Sequence, residues 1–154
     1  MTERQKKAVG LFKQGYNCAQ AVFAAFADIY GIDEHTALKL SCSFGGGMGR
    51  MREVCGTVSG MAMVAGLENG NTDAEDQNAK TENYQLVREL AAAFEEQNGS
   101  ILCRELLGLD RKETDAAPDL RTARYYKKRP CVQLVEEAAG LVEEKILQRK
   151  HENE

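Results

Sequence analysis

One stretch constrains the fold more than any other: Gly45-Gly46-Gly47-Met48-Gly49-Arg50-Met51-Arg52-Glu53-Val54-Cys55-Gly56-Thr57-Val58-Ser59-Gly60. It opens with four glycines in five residues, and glycine accepts positive φ and close backbone approach without steric cost. A helix is predicted to follow, from about Val54 to Leu67, with glycines at 56, 60 and 66. Each costs about 1 kcal/mol against alanine in a helix interior. A helix carrying three is expected to press that face against another backbone or a ligand.

The remaining chain reads as helices separated by clear stops. A first helix is predicted from Thr2 to Gln14, ended by Gly15. Asn17 caps a second, Cys18 to about Tyr30, and Asp33 caps a third, to about Ser43. Beyond the glycine helix, Thr72 or Asp73 is expected to cap the longest helix, which reaches about Gln97. Its predicted inner stripe is Tyr84, Val87, Ala91 and Phe94, widened by Leu86 and Leu90. Ser100 should cap a short helix holding Cys103. Gly108 to Asp119 is charged and loop-like, and Leu120 to Lys128 suggests another short helix. Pro130 suits the first turn of a last helix running to about Gln148, with a frayed tail from about Arg149. No period-2 strand pattern occurs. The expected fold is all-α: a compact multi-helix bundle with a glycine-rich loop, forming a single domain over residues 1–154.

Composition narrows the function classes. The net charge of −4 offers no general basic surface for nucleic acid. No apolar run reaches the ~18 residues of a membrane span. Met1 to Lys7 leads into no long apolar segment, so the cytoplasm is the expected compartment. Five cysteines, an odd number, in a reducing compartment argue against a permanent disulfide framework.

The cysteines carry the functional signal. Cys18, Cys55, Cys103 and Cys131 each fall in the first turn of a predicted helix, on its apolar side. Free N–H groups and the helix dipole favour thiolate there, the form that attacks disulfides and binds metals. Arg50, Arg52 and Arg104 stand close enough in sequence to add to this effect, and Cys55 is expected to titrate below the reference of about 8.5. Cys42 sits near a helix C-terminus and reads as core filler, which is also the plain alternative for any buried cysteine. No CxxC or ferredoxin-type spacing occurs, so a site must be assembled from distant helices. The GGGMGR loop lacks the Walker lysine–hydroxyl pair and follows no strand, which argues against a nucleotide. Met48, Met51, Met61 and Met63 crowd Cys55 in sequence and read as packing. His35 and His151, the only histidines, are poorly placed for a metal site or a triad.

Gly15-Tyr16-Asn17-Cys18-Ala19-Gln20-Ala21-Val22, the loop Gly45–Arg50 and Cys55-Gly56-Thr57-Val58-Ser59-Gly60, with lone downstream cysteines, resemble the C-GCAxxG-C-C family of small proteins described as redox-active. The resemblance spans about Gly10 to Ala139. It implies that Cys18, Cys55, Cys103 and Cys131 are the family's four characteristic cysteines. One departure stands out: Thr57 replaces the alanine of the family's Cys-Gly-Ala-x-x-Gly motif. Export signals in some relatives, and a related domain found with iron–sulfur cytochromes, imply a cofactor by analogy.

The combined expectation is a redox-active, cofactor-binding thiol site. Cys18, Cys55, Cys103 and Cys131 are its candidate redox residues and metal ligands, holding an iron–sulfur cluster or a thiolate-ligated metal. Gly45, Gly46, Gly47, Gly49, Arg50 and Gly56 are the candidate cofactor contacts. The alternatives are a cofactor-free dithiol/disulfide protein, which needs two Cα atoms within about 7 Å, and a structural or interaction module with packed cysteines. A redox partner protein and a homo-oligomer complete the expected partners.

Overall fold

The computed structural model describes residues 1–110 and 113–154. Helices α1 (Glu3–Lys13), α2 (Cys18–Ala24), α3 (Glu34–Cys42), α4 (Gly56–Asn69), α5 (Gln77–Asn98), α6 (Cys103–Leu106), α7 (Ala123–Lys128), α8 (Cys131–Val142) and α9 (Arg149–Glu152) follow in order. A 3₁₀ turn spans Ala27–Tyr30, and a π-helical segment, Glu143–Gln148, joins α8 to α9. The described residues contain no strand, only an isolated antiparallel bridge between Val54 and Leu102. The fold is all-α.

Local chemistry starts the first two helices in the same way. Thr2 with Gln5, and Asn17 with Gln20, form reciprocal capping boxes that satisfy the free N–H groups of each first turn. Alanine then dominates α2 and its exit: Ala19, Ala21, Ala24 and Ala25 are all buried. Small side chains allow α2 to lie close against α4, and α1 packs on α8 around them. Phe12, Val22, Phe26, Met61, Val64, Leu90, Phe94 and Val135 fill the space between. Each large apolar side chain buried here contributes about 1.5–3 kcal/mol.

The approach of α2 to α4 depends on Gly60. A Cβ at this position would lie 2.9 Å from Val22 Cβ and 3.1 Å from the Ala19 carbonyl oxygen. Gly66 differs, because nothing lies within 4 Å of its virtual Cβ. The packing expected for the glycine face therefore holds at Gly60 and not at Gly66.

Several boundaries move from their sequence expectations. Phe26 leaves helical geometry at φ −121°, so α2 stops at Ala24 and the chain tightens into the 3₁₀ turn. Asp76 caps α5, because Asp73 uses its side chain on the Glu75 N–H in the preceding turn. The α5 core stripe is Leu86, Leu90 and Phe94, while Tyr84 is exposed. Tyr84 stands two residues, roughly 200° of helix, from Leu86 and so faces away from the core. Ser100 accepts the Leu102 N–H rather than capping α6. The tail is helical through Glu152, tied down by Arg149–Glu89 at 2.7 Å and Lys150–Glu68 at 3.7 Å. The loop expected over Gly108–Asp119 includes Arg111 and Lys112, which lie outside the described residues; Asp115 to Asp119 carry no helix or strand.

Opposite outcomes are expected at the two glycines. Gly60→Leu should lower stability in chemical denaturation by at least the ~1–3 kcal/mol typical of overpacking. Gly66→Ala should raise it by roughly 0.5–1 kcal/mol through helix propensity. Equal effects at both positions would show that α4 does not use Gly60 to approach α2.

Candidate functional site

Backbone pairing brings the cysteines toward one another. The segments leading into α4 and α6 run antiparallel: Cys55 N–H donates to the Ile101 carbonyl at 2.7 Å, and Cys103 N–H to the Glu53 carbonyl at 2.6 Å. Cys55 is the N-cap of α4, and Cys103 is the first residue of α6. Cys18 and Cys131 are the first residues of α2 and α8. These helix starts converge on one cavity of about 60 Å³, whose walls include Cys18, Cys55, Cys103 and Cys131. A space of that size takes a few waters or one end of a small molecule.

The glycine-rich loop forms part of the wall. Gly46, Gly47, Met48, Gly49 and Arg50 have φ between 56° and 69°, and Arg52 follows at 61°. Such a left-handed run costs roughly 1–2 kcal/mol at each residue that is not glycine. Turn hydrogen bonds hold it, including Gly49 N–H to Ser43 O at 2.8 Å and Glu53 N–H to Gly47 O at 2.9 Å. Two of the glycines make room for thiols. A Cβ at Gly47 would fall 2.7 Å from Cys103 Cβ, and one at Gly56 would fall 2.5 Å from Cys18 Sγ. Gly46 lines the cavity; Gly45, Gly46, Gly49 and Arg50 line a surface groove beside it. Of the six candidate cofactor contacts, Gly47 and Gly56 thus have a packing role.

The thiols differ in charge preference. Cys55 hydrogen-bonds to Cys18; burial opposes ionisation, and the backbone N–H groups of Gly46, Ala19 and Cys18 itself favour it. The balance lowers the Cys18 pKa from 9.0 to about 6. Its partner moves the other way: the bond to Cys18, burial and the Cys18 charge push Cys55 well above its usual value, although Thr57 opposes them. Burial, partly offset by Arg52, raises Cys103. Burial and the Cys18 charge raise Cys131 to about 12. The low thiol is therefore Cys18, and the sequence expectation for Cys55 is corrected. A helix start favours thiolate, but the shared proton and desolvation decide which thiol ionises.

The arginines are also redistributed. Arg52 is 3% exposed and directs Nη1 to Cys103 Sγ at 3.6 Å, not to Cys55. Arg50 pairs with Asp119 at 3.1 Å, and Arg104 with Glu53 at 3.2 Å. Met48 and Met51 are exposed, leaving Met61 in the core and Met63 half-buried against it. Cys42 is exposed at the end of α3 and lines the outer groove, so the core-filler reading fails. Its carbonyl accepts a 2.9 Å bond from Asn17 Nδ2.

Three contributors to the site drew no role from the sequence. Thr57 shares a 3.1 Å hydrogen bond with Cys55 Sγ, so the departure from the family's alanine adds a polar partner beside a site cysteine. Arg129 and Tyr125 also line the cavity. Arg129 stands two residues before Cys131, a proximity that could have drawn attention to it. Tyr125 carried no local signal.

Among the described residues, no group of three or more His, Cys, Asp or Glu is arranged to hold a metal ion, and no helix is long and apolar enough to cross a membrane. Fold and site together define a small helical protein with four cysteines around a cavity between helix starts. The family model described as "Putative redox-active protein (C_GCAxxG_C_C)" matches residues 16–145, and the chain belongs to that family. No curated protein and no solved structure matches it.

Alkylation by iodoacetamide should show a Cys18 reactivity midpoint near pH 6, with Cys131 unreactive at neutral pH. Gly56→Ala should abolish the low midpoint by displacing the Cys18 sulfur. Mass mapping of the labelled cysteines checks both outcomes; a Cys18 rate that first rises above pH 8 would contradict the charge assignment.

Proposed function

We propose that the protein is a thiol redox protein whose working pair is Cys18 and Cys55, cycling between dithiol and disulfide. The observation carrying this reading is the cavity bordered by all four cysteines, in which Gly56 leaves room for the Cys18 sulfur beside Cys55; each of these two thiols is the main influence on the other's ionisation. Family membership supports the broader redox assignment.

The chemistry follows from the unequal pair. Cys18 thiolate attacks one sulfur of an oxidised disulfide, forming a mixed disulfide and expelling a thiolate. Cys55 then loses its proton and attacks Cys18 Sγ, forming the Cys18–Cys55 disulfide and expelling the second thiolate. Two protein thiols are oxidised, and one disulfide is reduced to two thiols. The Thr57 hydroxyl hydrogen-bonds to Cys55 and favours the ionisation needed in the second step. A partner protein or small thiol supplies the electrons that restore the dithiol.

A thiolate-ligated metal or iron–sulfur centre is the second reading. Its favourable observation is the common cavity lined by Cys18, Cys55, Cys103 and Cys131, the right donor type for either group. Fit is the difficulty: the described residues supply no group of three ligands at metal-binding spacing. Gly46, in the same cavity wall, would border such a group.

Cys55→Ser should trap the first intermediate as a stable adduct on Cys18 after addition of a small disulfide, whereas wild type should release the adduct and gain an internal disulfide. Intact-mass analysis distinguishes the two. Adducts distributed without preference over all five cysteines would defeat the pair assignment. Elemental analysis of anaerobically prepared protein tests the second reading, which requires stoichiometric metal.

A further inference from the structure

The cysteine cavity opens beside a second depression that the redox reading does not use. This groove, about 380 Å³, shares Asn17, Gly46, Arg52, Tyr125 and Arg129 with the cavity wall. Arg50, Arg52, Arg121 and Arg129 line it, with Asp119 as the acidic side chain among the lining residues. In a chain of net charge −4, this concentration of arginine is local. Glu113 also approaches Arg50, at 3.7 Å, and still leaves arginine in excess.

Arg52 provides the independent sign of a ligand. It is 3% exposed, and its Nε is buried with no hydrogen-bond partner among the described residues. Its Nη1 meets the weak acceptor Cys103 Sγ at 3.6 Å, and its Nη2 lies 3.9 Å from Asp119. A buried donor without a partner is costly to leave unsatisfied, and more so when it is charged. The groove already accommodates one carboxylate: Asp119 contacts Arg129, Arg50 at 3.1 Å and Arg52 at its longer distance. Arginine forks suit carboxylates geometrically as well as electrostatically. Arg121 contributes field but few free donors, because it already donates to Phe12 O and Tyr16 O.

We propose that this groove binds the carboxylate of a small anionic disulfide while the substrate's sulfurs enter the cysteine cavity. The proposal rests on the dithiol reading for its chemistry. Volume divides the substrate: about 60 Å³ admits only its sulfur end, and the larger groove receives the charged remainder. Cys18 attacks the inner sulfur of the substrate; the groove-side carboxylate-bearing thiolate leaves, takes a proton from solvent and exits through the groove. Cys55 closes the protein disulfide and releases the second carboxylate-bearing thiol. Both electrons pass from the protein thiols to the substrate disulfide. Without the arginines, a thiolate nucleophile would repel an anionic disulfide, so the groove reverses the intrinsic charge preference.

The test is stopped-flow oxidation of the reduced full chain by 3,3′-dithiodipropionate (anionic), 2-hydroxyethyl disulfide (neutral) and cystamine (cationic). Each rate is normalised to the same disulfide reacting with 2-mercaptoethanol. The anionic compound should lead the neutral one by about tenfold or more at low salt, with cystamine slowest. Added salt should shrink the ratio, and Arg129→Gln should bring it close to one. Equal normalised rates would overturn the groove proposal while leaving the dithiol reading intact. If no disulfide oxidises the protein, the dithiol reading fails, and calorimetry on Cys18→Ser decides the groove separately. Saturable binding of 3,3′-dithiodipropionate, lost in Arg129→Gln, would support the groove; absence of binding would overturn it.

Discussion

Close contact between the start of α2 and the start of α4 is the constraint on which the rest depends. Gly60 admits Val22 and the Ala19 carbonyl, and one turn earlier Gly56 admits the Cys18 sulfur. A methyl group at either position would push the two helices or their thiols apart. The contact therefore links stability to chemistry: the packing that closes the core also holds Cys18 beside Cys55. Glycine lowers helix propensity by about 1 kcal/mol per interior position, a cost offset by the burial of Val22, Val64 and Met61 around the junction.

A second constraint brings the other half of the site. The Val54–Leu102 bridge holds the chain before α6 against the chain before α4, and Cys103 arrives with it. The glycine-rich loop that leads into Val54 runs left-handed. Met48, Arg50 and Arg52 accept positive φ although they are not glycines. Their strain is compensated by contacts outside the loop: Arg50 reaches Asp119, and Arg52 is buried between Cys103 and Asp119. Strained backbone often collects at functional sites, and here it lies directly between the thiols and the arginine groove.

Much of this was legible in sequence because it is local. The caps at Thr2, Asn17 and Asp33, the stops at Gly15 and Gly31, and the start of the last helix at Pro130 follow from neighbouring residues. The shared position of the four cysteines at helix starts was also readable. Features set by tertiary contact were not. Which of Cys18 and Cys55 ionises depends on the influence of one thiol on the other across two helices and on burial, whereas helix position alone favoured thiolate at both. Arg52 was visible near Cys55, but its left-handed backbone points it to Cys103. Cys42 seemed apolar by type, yet its place at the end of α3 leaves it outside the packed interior.

The charges of the site also explain why four cysteines do not behave alike. Once Cys18 carries a negative charge, that charge raises the pKa values of Cys55, Cys103 and Cys131, and burial raises them further. A small desolvated cavity thus supports one thiolate and keeps its neighbours as thiols. For the proposed pair, forming the Cys18–Cys55 disulfide removes this anion from a cavity whose wall also holds Arg52 and Arg129. Stabilising the thiolate stabilises the dithiol relative to the disulfide, which shifts the couple toward the oxidising end. The same reasoning joins the arginine groove to the thiols. An arriving carboxylate raises the local negative charge and weakens the hold on Cys18 thiolate, so substrate binding makes its electron pair more available as the reacting sulfur reaches the cavity.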